Sequence, residues 1–328
     1  MRCLFGVGSR VFGTCIVLSC FLSAWCVSGR LAMAALPFTY ATVDNPYAIG
    51  GTWLYGISNG NIVGNYWPST IQTYDGLGNG FLYNGSNFIP ISYPGTSSVL
   101  GTQAYGIDNN KIVGTFWDNS GFEHGYVYDG NNYNTLDDPL THWDHSTGAD
   151  NASGAFGISG NKIVGQYLDS SLNFHGYVYD GTSFTTLDDP NIAVGDEWCV
   201  GIDGDNIIGI DGLGHSYVYD GSTFKSIAVP NAGSTSASAI SGNLIVGSYE
   251  QSGHEHGFIY DGTTFNTVDI PGSTDTQLNG IQGDTIVGAY SNNSGGSFHG
   301  VIVTIPEPST IALLTLGSLG LLARRRQE

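Results

Sequence analysis

Histidine recurs at one place in a repeated pattern. His124, His175, His215, His256 and His299 each stand before Gly or Ser and then Tyr, Phe or Val. Imidazole is a common metal ligand and general base, so five equivalent histidines invite both readings. A shared metal site is rejected on geometry. If each histidine opens the third strand of its own unit in a ring, it lies two strand spacings, ~10 Å, outside the innermost strand. Ligands of one zinc ion must converge to about 2 Å. The expectation is that each histidine satisfies backbone groups at the edge of its unit, with Asn79 in that place in the first unit.

Acids form a second set. Asp137-Asp138, Asp188-Asp189, Asp269 and Asp44 close the last strand of a unit shortly before proline. Hard cations need several oxygens, so Asp137, Asp138, Asp188 and Asp189 are the candidates for calcium. No complete calcium-loop pattern is present, and solvated turn acids are the plainer reading. No other cofactor is called for. The longest connection between units, Asp138 to Gly154, holds Thr141-His142-Trp143-Asp144-His145. A tryptophan beside a carboxylate and imidazoles can stack on a sugar ring and bond its hydroxyls. Asp144 and His145 can also serve as an acid/base pair. Against both stands a Trp143 that simply pins the loop. Trp198, beside Asp196 and Glu197, is the second ligand candidate. Cys199 occupies the place held by Ala104 and Ala155 and reads as a small buried side chain. No nucleophile elbow, phosphate-binding loop or Cys/His zinc spacing occurs, so no catalytic residue is assigned.

The elements that must carry these groups are short strands. Gly-Ile or Ala-Ile marks a first segment at Ile57, Ile107, Ile158, Ile202, Ile240 and Ile281. Five residues on, each is followed by Ile62, Ile112, Ile163, Ile207, Ile245 or Ile286, then Val-Gly or Ile-Gly. The fixed offset, with Asn59-Gly60 or Ser159-Gly160 between, predicts a tight hairpin of constant register. Third and fourth segments are joined by Asn84-Gly85, Asp129-Gly130, Asp180-Gly181, Asp220-Gly221 and Asp261-Gly262, which tolerate positive φ. Each unit is thus a four-stranded antiparallel meander, repeating every 38 to 51 residues. That period fits a β-propeller blade. His124, Tyr126 and Tyr128 share one strand face, which suggests ring packing between blades.

The sixth unit ends at His299-Gly300-Val301-Ile302-Val303 without a fourth strand. Phe38-Thr39-Tyr40-Ala41-Thr42-Val43-Asp44 matches the missing piece, as in Phe265-Asn266-Thr267-Val268-Asp269. A six-bladed, all-β propeller closed by an N-terminal strand is the expected fold, since closure removes an open edge. The alternative is an open or stacked β array. The repeats resemble the HAF-type extracellular repeat, with Gly in place of its Ala, as in His124-Gly125-Tyr126. That resemblance implies an exported repeat protein and no defined activity.

Composition agrees. The chain has 49 Gly, 19 Tyr and 15 Phe but only 11% charged residues, which suits strands and turns. Net charge is −19, and only Lys111, Lys162 and Lys225 are basic in the long middle. Nucleic-acid binding is excluded as a reading, because phosphate contacts need Lys and Arg. Four of five cysteines (Cys3, Cys15, Cys20, Cys26) lie near the N-terminus, so no disulfide framework is expected in the repeats.

The two ends read as addresses. Arg2 and Arg10, an apolar run from Val11 to Val27 and Ala32-Met33-Ala34 have the form of a signal peptide over 1–34, with a retained anchor as the alternative. Residues 35–304 then form the propeller and 305–328 a tail. The tail reads Pro306-Glu307-Pro308, a 13-residue apolar run from Ile311 to Ala323, and Arg324-Arg325-Arg326. As a helix the run is roughly 20 Å long against a bilayer core of about 30 Å. It suits a transient transmembrane helix in the inner membrane, with the arginines cytoplasmic. This tail resembles the PEP-CTERM sorting signal of bacterial exported proteins. The resemblance implies recognition by an exosortase-type processing enzyme, removal of the tail, and a destination at the cell surface or in extracellular polysaccharide. The function expected is a non-enzymatic, matrix-associated binding or structural propeller. The rivals are a glycan-active enzyme using Asp144 and His145, and a calcium-stabilised structural protein.

Overall fold

The computed structural model describes residues 38–68, 78–96, 101–143, 152–192, 196–293 and 296–306. The expected signal peptide and the tail beyond Pro306 lie outside these residues. No helix occurs among the described residues, and none therefore is long and apolar enough to cross a membrane. The apolar run expected to span the bilayer is not among them.

The chain opens with β1 (Thr39–Thr42). Blade 1 holds β2 (Gly51–Ser58), β3 (Asn61–Trp67), β4 (Asn79–Tyr83) and β5 (Phe88–Ile91). Blade 2 holds β6 (Thr102–Asp108), β7 (Lys111–Trp117), β8 (Glu123–Tyr128) and β9 (Tyr133–Thr135). Blade 3 holds β10 (Ser153–Ser159), β11 (Lys162–Leu168), β12 (Phe174–Tyr179) and β13 (Phe184–Thr186). Blade 4 holds β14 (Glu197–Asp203), β15 (Asn206–Asp211), β16 (Ser216–Tyr219) and β17 (Phe224–Ile227). Blade 5 holds β18 (Ser234–Ser241), β19 (Leu244–Gln251), β20 (His254–Tyr260) and β21 (Phe265–Val268). Blade 6 holds β22 (Asp275–Gln282), β23 (Thr285–Ser291) and β24 (His299–Thr304), and its fourth strand is β1. The result is a six-bladed β-propeller of four-stranded antiparallel sheets.

The register follows the isoleucines. Ile57 faces Ile62, Ile107 faces Ile112, and Ile281 faces Ile286. Asn59 and Gly60 both take positive φ, which turns the chain within two residues. One feature of the first strands is absent from the expected register. Every first strand carries a bulge, between Leu54 and Gly56 in blade 1 and at the equivalent place in the other five. The residue left unpaired is Tyr55, Tyr105, Phe156, Val200, Ser238 or Asn279, and all six line the central channel. The glycine after it allows close approach of the next blade. A Cβ on Gly56 would lie 2.8 Å from the Tyr105 carbonyl oxygen.

Two repeat motifs meet in one fit. Gly114 of the Val-Gly pair faces Tyr126 of the His-Gly-Tyr run across β7 and β8. The Tyr126 ring lies over the glycine, fully buried, and its hydroxyl donates to the Gln103 carbonyl at 2.9 Å. The ring also packs toward Val63 and Ile91 of blade 1. Apolar clusters of this kind lie between successive blades, and one joins Val287 of blade 6 to Leu54, Ile62 and Phe81 of blade 1. Burying such a side chain contributes about 1.5–3 kcal/mol, so the cores between blades hold the ring.

Two belts of hydrogen bonds run around it as well. The last residue of each first strand accepts the N–H of the next blade's turn: Ser58 from Asn109, Asp108 from Gly160, Ser159 from Gly204, Asp203 from Gly242, Ser241 from Gly283. Gln282 of blade 6 completes the belt by accepting from Asn59 of blade 1 at 2.6 Å. At the opposite face, Thr52, Thr102, Ser153, Thr235 and Thr276 accept a backbone N–H from the segment leading out of the preceding blade. In blade 4 the carboxylate of Glu197 does this for Asp189 at 2.9 Å.

Candidate functional site

The recurring histidines are paired with the recurring acids. His124 Nδ1 lies 2.8 Å from Asp137 Oδ2, His175 Nδ1 2.7 Å from Asp188 Oδ2, and His256 Nδ1 2.9 Å from Asp269 Oδ2. The other oxygen of Asp137 and Asp188 accepts the N–H of Gly125 and Gly176. Each pair therefore ties the third strand of a blade to the end of its fourth. This corrects both sequence expectations. The histidines bond carboxylates rather than backbone, and Asp137 and Asp188 are not free turn acids. Blade 4, with Ala228 where Asp137 stands in blade 2, supplies Asp211 to His215 at 2.8 Å instead. Blade 1 has neither partner, with Asn79 and Ser92 in those places.

In blades 2 and 3 a second carboxylate approaches the far ring nitrogen. Asp118 lies 3.6 Å from His124 Nε2, and Asp169 lies 3.3 Å from His175 Nε2. Burial disfavours the imidazolium, but the two aspartates outweigh it and raise both histidines above the ordinary value. With both ring nitrogens on acids, these histidines are built as ion pairs, not as open bases.

The calcium candidates are engaged as follows. Besides Asp137 and Asp188, Asp138 accepts the Leu140 N–H at 2.8 Å and is buried, which raises its carboxyl above the usual range. Asp189 accepts both the backbone and side-chain N–H of Asn191. Among the described residues no group of three or more His, Cys, Asp or Glu side chains is placed to hold a metal.

Trp143 ends a stack of rings. Tyr93 stacks on Phe116 at 3.7 Å, Phe116 on His124 at 5.1 Å, and His124 on Trp143 at 4.7 Å. Phe122 meets Trp143 edge-on at 5.4 Å. Trp143 remains 37% exposed. The chain leading to it is fixed by the His142 N–H, which donates to the Leu168 carbonyl at 2.8 Å. The structure thus brings Trp143 to His124, Asp137 and Asp118. Asp144 and His145, the expected acid/base pair, lie outside the described residues.

Trp198 is held on β14 opposite Ile210 and lines a cavity of about 320 Å³ in the channel. Its neighbour Glu197 is buried, which raises its carboxyl pKa. Asp196 accepts the Phe174 N–H of the preceding blade. Cys199 is fully buried, and burial pushes its thiol up, away from nucleophile chemistry. The channel residues and the belt of threonines escaped the sequence reading. Their signal was a column of Ser and Thr before five of the six Gly-Ile or Ala-Ile pairs, with Glu197 in blade 4, and an irregular column immediately before the Gly or Ala.

Pro306 is the last described residue, and Glu307, Pro308, Arg324, Arg325 and Arg326 lie beyond it. Residues 304–327 match the PEP-CTERM protein-sorting motif. The tail is a sorting signal. The motif marks an exported, surface-sorted protein and is the kind recognised by exosortase-type processing. The chain matches no curated protein. Among solved structures it is similar to a mutant of the Aleuria aurantia lectin in complex with Fucalpha1-6GlcNAc, at 13% identity over 77% of this chain and 92% of that one, with TM-score 0.45. It is also similar to the β-propeller domain of the Trilobed protease from Pyrococcus furiosus, at 11% identity over 78% and 96%, with TM-score 0.43. TolB from Acinetobacter baumannii is similar at 14% identity over 77% of this chain and 63% of that one, with TM-score 0.47. These are likenesses of shape at low identity, and no ligand is transferred from them.

Proposed function

We propose that this exported protein works at the cell surface or in the extracellular polysaccharide matrix as a non-enzymatic binding or structural propeller. The observation that carries the reading is the sorting motif at 304–327 on a chain whose other described residues form a propeller. In this reading residues 1–34 are the signal peptide, 35–304 the working domain with its HAF-like repeats, and 305–328 the tail. An exosortase-type enzyme acts at Pro306-Glu307-Pro308, while the arginines at 324–326 hold the apolar run transiently in the inner membrane. Support for a non-enzymatic role comes from the reactive groups themselves, since the histidines of blades 2 and 3 are enclosed by carboxylates and Cys199 is buried.

The glycan contact we assign first is the exposed Trp143, with His142, Asp144 and His145 beside it, and Trp198 is the second. A partly exposed indole stacked on an imidazole suits the C–H face of a sugar. The test is a glycan array probed with the full chain, with and without calcium. Binding without turnover, lost in Trp143→Ala, is the expected result. Bond cleavage would overturn the reading. A calcium-dependent rise in melting temperature with no glycan bound would replace it with a calcium-stabilised structural protein, through Asp137, Asp138, Asp188 or Asp189.

A further inference from the structure

The six blades are alike where they pack and unlike where they face the channel. Buried positions keep one character: Leu54, Ala104, Ala155, Cys199, Ala237 and Leu278 occupy one equivalent place, and all are almost fully buried. The bulge residues one step on do not. Blades 1 to 3 place Tyr55, Tyr105 and Phe156 there, and blades 4 to 6 place Val200, Ser238 and Asn279. The three rings run edge to face, 5.1 Å from Tyr55 to Tyr105 and 5.3 Å from Tyr105 to Phe156. Half of the channel wall is therefore aromatic and the other half small or polar. Ring closure does not require that division, since the blades pack through other residues.

Above this waist, toward the face of the inter-blade connections, the channel widens into the 320 Å³ cavity. That is at the lower end of the ~300–1,000 Å³ of small-molecule sites. Trp198 stands on its wall, with Ser236 and Ser238 of blade 5. Gln166, on β11 opposite Gly154, also lines the cavity. A Cβ at Gly154 would come within 3.0 Å of the Phe156 ring.

Gln166 is the telling residue. It is 8% exposed. The equivalent Asn65 of blade 1 accepts the Ala104 N–H at 2.8 Å. Gln166 instead lines the cavity, where its amide can bond what enters. Among the described residues, no charged side chain lines this space.

We propose that this cavity binds one neutral pyranose unit of a glycan. Tyr105, Phe156 and Trp198 meet its C–H face, and Gln166, Ser236 and Ser238 bond its hydroxyls. The lining matches that ligand on both sides: flat rings for an apolar face and neutral donors and acceptors for hydroxyl groups, with nothing to hold an ionised group. The site shares the ligand class and Trp198 with the proposed function, and uses none of the residues around Trp143.

The experiment is titration of the full chain with methyl glycosides of neutral hexoses, followed by saturation-transfer NMR and calorimetry. Saturable one-to-one binding of at least one glycoside is expected. Gln166→Leu, close in shape, weakens it about tenfold or more, the loss of roughly one good hydrogen bond plus an unpaired hydroxyl. Trp198→Ala weakens it further. Absence of saturable binding by any neutral glycoside would overturn the proposal, as would unchanged affinity in a folded Gln166→Leu. Polysaccharide binding lost in Trp143→Ala and untouched in Gln166→Leu would sink the channel site while leaving the preceding reading in place. Glycoside binding in the channel with no retention at the cell surface would do the reverse.

Discussion

His299 and Asp44 lie 255 positions apart in the chain, yet His299 Nδ1 is 2.8 Å from Asp44 Oδ2. The second oxygen of Asp44 accepts the Gly300 N–H at 3.1 Å. This is the same pairing that His124 makes with Asp137 inside one continuous blade. In blade 6 it joins the two ends of the propeller, because Thr39 to Thr42 pair with Thr304 to Val301. Asp44→Ala is expected to cost about 1 kcal/mol, since the pair is partly exposed. It should also loosen β1 ahead of the rest. Hydrogen exchange across Thr39–Thr42 checks this; protection there equal to wild type would contradict it.

The histidines of blades 2 and 3 make stability depend on pH. Their folded pKa values are raised, with burial opposing and the aspartates prevailing. A raised histidine binds its proton more tightly folded than unfolded. Its contribution is fully present below the unfolded value of about 6.5 and fades as pH climbs through the folded value. A His124→Gln/His175→Gln variant should therefore be less stable than wild type at pH 5.5 and approach it at pH 8.5. Melting temperatures of both proteins across that range provide the measurement, and a constant gap would contradict the assignment.

Glu197 takes a place that threonine or serine holds in the other blades. Its buried carboxyl has a raised pKa, so it binds a proton more readily folded than unfolded. Stability from this group is present below the unfolded value of about 4.3 and falls as pH rises through the folded one. Glu197→Thr keeps an acceptor for the Asp189 N–H and removes the buried charge. It should equal or exceed wild type at pH 7, by up to about 1 kcal/mol. Glu197→Val orphans that N–H and should cost about 1–3 kcal/mol. Urea unfolding of the two variants separates these outcomes; equal losses in both would show that the acceptor does not matter.

Much of the blade is local chemistry. The fixed spacing from Ile57 to Ile62, repeated through Ile281 and Ile286, specifies the hairpin because turn geometry and side-chain alternation act within a few residues. The tail from Pro306 to Arg326 is likewise legible, since a sorting signal is read as a linear string. Pairing of His124 with Asp137 was half visible: both recur, and blade 1 lacks both, but nothing in the order of residues says that one faces the other across strands. The channel was not visible at all. Tyr55, Phe156 and Ser238 look like scatter in one column of the repeat until six bulges aim them at a common axis. Gln166 looks like any strand glutamine until the ring places it with Trp198 on the wall of a cavity. Periodicity determined the blades by itself, because each is held by contacts short in sequence. Which side chains share a space across the ring was decided only by closure, which brings together residues the sequence keeps far apart.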